Sequence, residues 1–246
     1  MTDGQRQPHA AQPHDHATPE RFDRAFWDDR YRSASSLWSG RPNVHLVSEA
    51  SGLRPGTALD AGAGEGADAI WLAGRGWRVT AVDISGVALE RAAAHARAAA
   101  DGGDAGDAGD AGAGPAAAAG PAAARIAWLC RDLTAWQPPE GAYDLVTAQY
   151  LHPLPAIRGP VFRALAAAVA GGGSLLIVGH HPSDLGTTMP RPAMPERFFT
   201  GDDIAALVGG AGWEIVTNVA APRPATDPEG RPVTVHDTVF RARRTS

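Results

Sequence analysis

The residues best suited to chemistry form a glycine-rich segment that follows a short apolar run. The segment from Asp60 to Gly66 reads DAGAGEG, so glycines alternate with Ala63 and Glu65. Glycine lets the backbone turn with positive φ and approach a ligand closely, and a helix that begins behind the turn directs free N–H groups toward it. Asp83 ends the next apolar run, where nucleotide-binding sheets place a carboxylate for a ribose diol. The segment therefore predicts a nucleoside-binding site.

Two cofactors compete for this site. Gly62 and Gly64, followed three residues later by Ala67, match a dinucleotide fingerprint. A pyrophosphate would lie beside Asp60 and Glu65, however, and like charges in a partly desolvated crevice repel by roughly several kcal/mol. S-adenosylmethionine carries no phosphate, and its sulfonium and ammonium groups favour a nearby carboxylate. The acids therefore favour S-adenosylmethionine over NAD.

The elements that must position these residues alternate along the chain. The predicted strands are 57–60, 78–83, 125–130, 143–149, 174–179, 213–219 and 233–242. The predicted helices are 18–31, 44–52, 67–75, 87–100, 160–170 and 200–208. Such alternation predicts an α/β fold, a parallel sheet with helices on both faces. No helix separates the last two strands, so the last strand is predicted to be antiparallel.

Composition divides the chain into a tail, an N-terminal helical lid and one domain. Residues 1–17 are polar and unpatterned, which predicts a disordered tail. Residues 18–52 are predicted to form the lid, with Thr18 and the proline after it starting the first helix. Residues 53–246 form the domain, and its segment 101–124, rich in Ala, Gly and Asp, is predicted to be a flexible insertion.

Length and charge exclude several classes of protein. The 246 residues are 44% apolar and 20% charged, which suits one globular domain. All 22 basic residues are Arg, and with 27 acids they give a net charge of −5, so nucleic-acid binding is not expected. Neither a membrane-spanning run nor the apolar core of a signal peptide is found, which predicts a cytoplasmic protein. The single cysteine, Cys130, excludes an intrachain disulfide and a cysteine-based zinc site.

On these motifs the sequence resembles the class I S-adenosylmethionine-dependent methyltransferases. The matching segments are ALDAGAGEGADA at 58–69, AVDIS at 81–85, RDL at 131–133, YDLVTAQYLH at 143–152 and GGGSLLIVGH at 171–180. The resemblance implies a Rossmann-like, doubly wound sheet of seven strands with the last strand antiparallel. It also implies methyl transfer by direct in-line displacement. The segments 27–31 and 37–43 look like the small-molecule branch that includes tellurite-resistance and thiopurine methyltransferases.

The resemblance implies roles for the residues at the end of the first strand and of the fourth. Asp60 is expected near the methionine ammonium, and Gln149 near the methionine part of the cofactor. The other residues expected to line the cofactor along the turn are Gly62, Gly64, Glu65 and Gly66.

The adenosine part is expected to lie against the ends of the second and third strands. By the same resemblance Asp83 binds the ribose hydroxyls and Ile84 lies against the adenine. Asp132 accepts a hydrogen bond from the adenine amino group, with Leu133 beside it. Trp38 is predicted either to cover the cofactor and exclude water or to pack on the edge of the sheet.

Histidines are concentrated where the acceptor would bind, because ligands of open α/β sheets lie outside the carboxyl ends of the parallel strands. They are His152, His180, His181 and His236. One interpretation is that His152 caps its loop. A second is that His180, His181 or His236 positions the acceptor or removes its proton. A third is a metal site that includes Asp237, but no regular ligand spacing supports it.

The sequence therefore predicts an enzyme that methylates a small molecule and needs no metal, nucleic acid or membrane. A thiolate or chalcogen acceptor would need no base, so the histidines bear on the acceptor class and not on the type of reaction. The usual Pro-Pro-Tyr pattern of amide-nitrogen and base methyltransferases is replaced by residues 149–152, QYLH. The alternatives are a protein that binds S-adenosylmethionine without turnover and an NAD-dependent oxidoreductase. The oligomeric state stays open.

Overall fold

The computed structural model describes residues 22–101, 122–191 and 194–245. The predicted tail, the predicted helix start at Thr18 and most of the predicted insertion lie outside these ranges. The helices are α1 (Arg24–Arg32), α2 (Val44–Ala50), α3 (Ala67–Gly74), α4 (Gly86–Asp101), α5 (Pro155–Ala167) and α6 (Gly201–Val208). The strands are β1 (Thr57–Ala61), β2 (Arg78–Asp83), β3 (Ile126–Cys130), β4 (Tyr143–Gln149), β5 (Val169–His180), β6 (Trp213–Thr226) and β7 (Pro232–Arg244).

The seven strands form one sheet in the order β3-β2-β1-β4-β5-β7-β6. The pairings among β1 to β5 are parallel, whereas β7 runs antiparallel to both β5 and β6. This confirms the predicted seven-stranded, doubly wound sheet with an antiparallel last strand. One face carries a core that includes Phe162 and Ile204 of α5 and α6, and the other carries Leu46 and Leu72 of α2 and α3.

Several predicted boundaries were wrong. Two prolines suit the first turn of a helix, and α5 begins at Pro155, so Pro160 lies inside it. The strand β5 begins at Val169, which the sequence assigned to the preceding helix. The hairpin of β6 and β7 extends well beyond its predicted strands, and Pro222 and Pro224 are accommodated because β6 is an edge strand.

The N-terminal region is tied to the carboxyl edge of the sheet by polar contacts. Helix α1 is capped by Asp23, whose carboxylate accepts from the Phe26 amide at 2.9 Å. Asp28 of α1 accepts a 2.6 Å hydrogen bond from the Ser85 hydroxyl, just before α4. At the start of α2, the Asn43 amide donates to Asp68 of α3 at 2.6 Å. No helix in the described part of the chain is long and apolar enough to cross a membrane.

Candidate functional site

The glycine-rich segment forms a tight turn between β1 and α3. Gly62, Gly64 and Gly66 have φ values of +80°, +53° and +84°, a region that favours glycine. A Cβ on Gly66 would lie 2.7 Å from the Ala92 Cβ, so packing against α4 also requires glycine there. A Cβ on Gly64 would lie 3.0 Å from the Tyr31 hydroxyl. The turn is thus pressed between the sheet and the N-terminal region.

Buried carboxylates gather behind this turn without a cation among them. The side chain of Asp60 is almost fully buried, and its Oδ2 atom has no hydrogen-bond partner. Burial, followed by repulsion from Asp68 and Asp83, raises the pKa of Asp60 well above its usual range. Burial also raises the pKa of Asp68 to about 6. We call Asp60, Asp68 and Asp83 the carboxylate cluster.

Gln149 adds a second unsatisfied acceptor on the same face of the sheet. Its Nε2 donates to the Thr147 hydroxyl, and Thr147 is the β4 residue paired with Asp60 of β1. Residues two apart on a strand share a face, so Gln149 and Asp60 project to the same side. Gln149 Oε1 is buried without a partner, as is Asp60 Oδ2. Two unpaired oxygens in one cleft form a site for a ligand with several N–H donors.

Asp83 holds the glycine turn against the end of β2. Its Oδ2 accepts from the Gly64 amide and its Oδ1 from the Ser85 amide, both at 2.8 Å. Burial raises the pKa of Asp83 and outweighs these two backbone contacts. Each oxygen keeps a further lone pair, so the carboxylate can still accept from a hydroxyl.

The residues predicted to hold an adenine follow β2 and β3. Ile84 is half-buried, and its carbonyl accepts from Arg24 Nε of α1 at 3.1 Å. Asp132 is exposed, and its Oδ1 accepts from the Thr134 amide at 2.8 Å. Leu133 packs against the hydrophobic core. The paired ends of β2 and β3 bring these loops side by side.

The loop between α1 and α2, residues 33–43, lies over the glycine turn, and we call it the cover loop. Glu65 Oε2 accepts from the amides of Leu37 and Trp38 at 3.1 and 3.3 Å, and its Oε1 accepts from Arg91 at 3.0 Å. The Trp38 indole donates to the Tyr31 hydroxyl at 3.1 Å. Trp38 itself is 53% exposed. Glu65, predicted beside the cofactor, thus anchors the cover loop through Oε2 and pairs with Arg91 of α4 through Oε1.

Of the predicted histidines, His152 has a structural role. Its Nε2 accepts from the His180 backbone amide at 3.0 Å, and its ring is stacked on that of His180. Burial, then the nearby His180 and Arg197, lower the pKa of His152 to about 3. The ring is therefore a neutral acceptor that fixes the loop after β4, as the first interpretation predicted.

His180 lies beside a buried carboxylate. It is paired with Asp237 across β5 and β7, and its Nδ1 is 3.7 Å from Asp237 Oδ1. Asp237 is fully buried, and its Oδ2 accepts from Arg223 at 2.9 Å and faces His45 Nε2 at 3.2 Å. Burial alone would raise the pKa of Asp237, but His180, His45 and Arg223 hold it well below its usual range. Asp237 is therefore ionised.

His181 and His236 occupy the same rim with different partners. His181 Nδ1 accepts from the Ser183 amide at 3.2 Å and so caps the short 3₁₀ turn Pro182–Gly186. His236 Nδ1 lies 4.0 Å from Asp184 Oδ1, which accepts the His236 amide at 2.7 Å. The four histidines do converge on one rim, but His180 is the one whose ring faces Asp237. Across the described ranges, no group of three or more His, Cys, Asp or Glu residues is arranged to hold a metal.

Comparison with known proteins identifies the family. The family model for the methyltransferase domain matches residues 30–218, about three quarters of the chain. The chain belongs to the methyltransferase domain family. No curated protein matches the chain significantly.

Several solved structures share the fold of this methyltransferase. A structure described as "Conversion of a Disulfide Bond into a Thioacetal Group during Echinomycin Biosynthesis" is 24% identical, with 90% of this chain and 92% of that chain covered and a TM-score of 0.62. TehB from Haemophilus influenzae is 15% identical, with 90% and 67% covered and a TM-score of 0.60. The 1,6-didemethyltoxoflavin-N1-methyltransferase of Burkholderia thailandensis is 19% identical, with 91% and 87% covered and a TM-score of 0.57.

Sequence reasoning missed three residues that this methyltransferase brings to the site. Tyr31 is buried against Gly64 and the cover loop. His45 and Arg223 both contact Asp237 from elements far away in sequence. The segment containing Tyr31 signalled the family branch, but neither His45 nor Arg223 lies in a recognisable motif. The contacts of these two residues depend on how α2 and the β6–β7 hairpin pack.

Proposed function

We propose that the protein is an S-adenosylmethionine-dependent methyltransferase that methylates a small molecule. The observation that carries the proposal is the pair of buried, unpartnered acceptors, Asp60 Oδ2 and Gln149 Oε1, at the ends of adjacent strands. An ammonium group has three donors and no acceptor, so the methionine end of the cofactor fits this pair.

The charge of the cleft also suits this cofactor. Asp60, Asp68 and Asp83 lie close enough that repulsion contributes to the raised pKa of Asp60. A cationic ligand would relieve that repulsion, whereas the two charges of a dinucleotide pyrophosphate would add to it. The cluster therefore supports S-adenosylmethionine over NAD.

The remaining cofactor contacts follow from the predicted roles. We propose that Asp83 accepts from the ribose hydroxyls with its free lone pairs, while Gly64 lets the turn approach the ligand closely. Ile84 would contact the adenine, with Asp132 and Leu133 at its edge. S-adenosylmethionine supplies an electrophilic methyl carbon when bound. The chain contributes mainly alignment, which is the largest requirement for a direct displacement.

The cover loop has a matching task. Tyr31 and Trp38 lie directly over Gly64, and the loop carrying Trp38 is anchored by Glu65. We propose that these residues exclude water from the cofactor, which strengthens the electrostatic contacts beneath them.

On the acceptor side we propose that His180, oriented by Asp237, positions the acceptor. His181 and His236, equal candidates in the sequence, are less suited because their nearest side-chain partners are a turn serine and Asp184. The neighbour from Burkholderia thailandensis, with bound 1,6-didemethyltoxoflavin and S-adenosylhomocysteine, supports a small acceptor here as well. We also propose a cytoplasmic location and no nucleic-acid partner, and the net charge of −5 disfavours binding to phosphates.

Calorimetry with S-adenosylhomocysteine tests the cofactor. We expect saturable binding of S-adenosylhomocysteine and no binding of NADH. Asp83→Ala should weaken binding at least tenfold, since it removes the ribose acceptor. Labelled S-adenosylmethionine offered with pooled phenols, thiols, amines and oxyanions should then yield a labelled product. Binding without label in any product would favour the non-catalytic alternative, and binding of NADH instead would favour the oxidoreductase.

A further inference from the structure

The rings of Tyr150, His152 and His180 form a wall beside the proposed acceptor position. The ring centroid of Tyr150, which directly follows Gln149, lies 4.8 Å from that of His180. The His180 ring is stacked on His152, with centroids 5.0 Å apart and an interplanar angle of 16°. Tyr150 is 37% exposed, so it offers surface on which a flat ring can pack.

The backbone at Tyr150 is strained. Its φ is +52°, and it is the one non-glycine residue with positive φ in the described ranges. Strain of this kind is retained where the surrounding structure over-determines it and is concentrated at functional sites. The conformation turns the chain sharply at the end of β4, one residue after Gln149, and brings Tyr150 against His180 of the neighbouring strand.

The neighbours of His180 determine which ring nitrogen carries the proton. Nδ1 of His180 and Oδ1 of Asp237 are both buried, both lack a hydrogen bond, and lie 3.7 Å apart. Nε2 lies 3.5 Å from the Arg191 Nη1 atom, which can only donate. These contacts favour a proton on Nδ1 and a lone pair on Nε2. Hydrogen bonds of catalytic groups are often long without substrate and tighten when it binds.

Arg191 is a fixed cation beside this basic nitrogen. Its side chain is 13% exposed and donates through Nη2 to the fully buried carboxylate of Asp184. Its Nε atom is buried without a partner. A guanidinium next to a proton acceptor can stabilise the anion that proton removal creates. The rim therefore combines a base with an oxyanion-stabilising group.

The other titratable groups of the wall are poor bases. Burial, followed by the negative charge of Asp237, raises the pKa of Tyr150, so its phenol stays neutral. His152 has a pKa of about 3, lowered by burial, and its Nε2 already accepts from the backbone. His180, whose Nδ1 lies beside Asp237, is therefore the group in the wall that is placed to act as a base.

This arrangement narrows the acceptor class. A thiol, with a pKa of about 8.5, ionises near neutral pH with little help, whereas a phenol, with a pKa of about 10, needs a base. A simple aliphatic alcohol would also need a base, but it has no aromatic ring that could pack on Tyr150. Resting on the proposed function, we propose that the acceptor is an aromatic hydroxyl compound. Its ring packs on Tyr150 and its hydroxyl contacts both His180 Nε2 and the Arg191 guanidinium from one side.

The proposed methyl transfer needs no reactant besides the acceptor, S-adenosylmethionine and the side chains of His180 and Arg191. The hydroxyl proton passes to Nε2 of His180, and Arg191 stabilises the charge that develops on the oxygen. That oxygen forms a bond to the methyl carbon as the bond from carbon to sulfur breaks, and the electron pair of the broken bond remains on sulfur. The products are an aryl methyl ether, S-adenosylhomocysteine and the proton, which His180 releases to water.

The test compares phenols of different acidity in the wild type and in His180→Gln. The panel contains phenol, catechol and 2-naphthol, which stay protonated at pH 8, and 4-nitrophenol, which is ionised there. Thiophenol, aniline and benzyl alcohol serve as matched non-phenols.

We expect aromatic hydroxyl compounds to be the substrates. His180→Gln should lower kcat/KM for the protonated phenols about 100-fold or more and for 4-nitrophenol less than about fivefold. Arg97→Gln, at an exposed position on α4 outside the rim, is the control and should change neither.

Three results would overturn the inference. One is methylation of a thiol, amine or aliphatic alcohol while the aromatic hydroxyl compounds show neither turnover nor saturable binding. Another is an equal loss for all phenols in His180→Gln, which would indicate a structural role. The third is the absence of both turnover and phenol binding in the whole panel. Calorimetry with S-adenosylhomocysteine separates the cases, because binding of that ligand leaves the proposed cofactor in place when the acceptor class is wrong.

Discussion

Two regions at the same edge of the sheet treat buried carboxylates in opposite ways. In the carboxylate cluster, Asp60 has no cationic partner among the described residues and a raised pKa. At the acceptor rim, by which we mean Tyr150, His180, Arg191, Arg223 and Asp237, the buried Asp237 is surrounded by cationic or protonatable partners and has a lowered pKa. Both carboxylates are at most 2% exposed, so burial alone does not explain the difference.

The difference lies in what completes each region. At the acceptor rim, Arg223 supplies a counter-charge to Asp237, although Asp237 Oδ1 accepts no hydrogen bond. Asp237 can therefore support the ring of His180. The carboxylate cluster lacks a counter-charge of its own, and a buried unpaired acid destabilises the folded chain. Such an arrangement persists where function requires it, because a ligand supplies the missing partner. The same substitution should therefore have opposite effects on folding in the two regions.

The largest expected effect is on the stability of Asp237→Asn. This change removes the charge that Arg223 and His45 contact, and breaking a buried ion pair by neutralising one member is strongly destabilising. We expect the free energy of unfolding, measured in urea, to fall by about 3 kcal/mol. The double variant Asp237→Asn/Arg223→Gln should recover part of the loss, since it no longer leaves a guanidinium unpaired. Wild-type stability in the single variant would contradict the idea that the rim is complete in charge.

Asp60→Asn should act in the other direction. We expect it to raise the free energy of unfolding of the ligand-free protein by about 1 kcal/mol, since it removes an unpaired buried charge. Affinity for S-adenosylhomocysteine should fall about 100-fold, or about 2.7 kcal/mol, because the ammonium loses an ionised acceptor. Calorimetry and urea unfolding on the same preparation measure both. A variant that lost stability and kept its affinity would place Asp60 among ordinary structural residues.

The pH dependence of the free energy of unfolding distinguishes the carboxylate cluster from the acceptor rim in the wild-type protein. The raised pKa of Asp68, about 6 and caused by burial, means that the folded chain keeps this proton longer than the unfolded chain. Stability therefore falls as pH rises from about 4 to about 7, by on the order of 2 kcal/mol. The lowered pKa of Asp237 contributes stability that is present throughout this window and is lost only at lower pH. Urea unfolding of wild type and Asp68→Asn at several pH values tests this: the variant should show a flatter profile, and an equal slope in both would contradict the assignment.

The sequence predicted the elements around the glycine-rich turn better than the contacts at the acceptor rim. The turn from Asp60 to Gly66 is a local feature, because positive φ and a helix start are encoded within a few residues. The strand β1, predicted as 57–60, ends at Ala61, and the alternation of strands and helices predicted a parallel sheet with an antiparallel last strand. Asp83 follows from the same logic, because it ends the next strand along.

The partners of Asp237 could not be predicted in the same way. His45 is 192 positions away from Asp237 in sequence. The contact exists because α2 packs on the sheet over β5 and β7. Nor does the sequence indicate that Glu65 would bind the cover loop, since that contact depends on where α1 and α2 are tied down. Local patterns define elements, whereas contacts between side chains of distant elements depend on the packing of the whole domain.

The smallest expected effect concerns this cover loop and links the two regions. Glu65→Gln keeps an oxygen that can accept from the amides of Leu37 and Trp38 but removes the charge that pairs with Arg91. A partly exposed ion pair of this kind is worth about 1 kcal/mol, so we expect S-adenosylhomocysteine to bind about fivefold more weakly, mainly through faster dissociation. Arg91→Gln should weaken binding at least as much, because Arg91 Nη2 also donates to the Ala34 carbonyl of the cover loop at 2.8 Å. The double variant should be no weaker than Arg91→Gln. If Glu65 instead contacts the cofactor directly, Glu65→Gln will weaken binding far more than Arg91→Gln, because the loss will then include a ligand contact that Arg91 does not share.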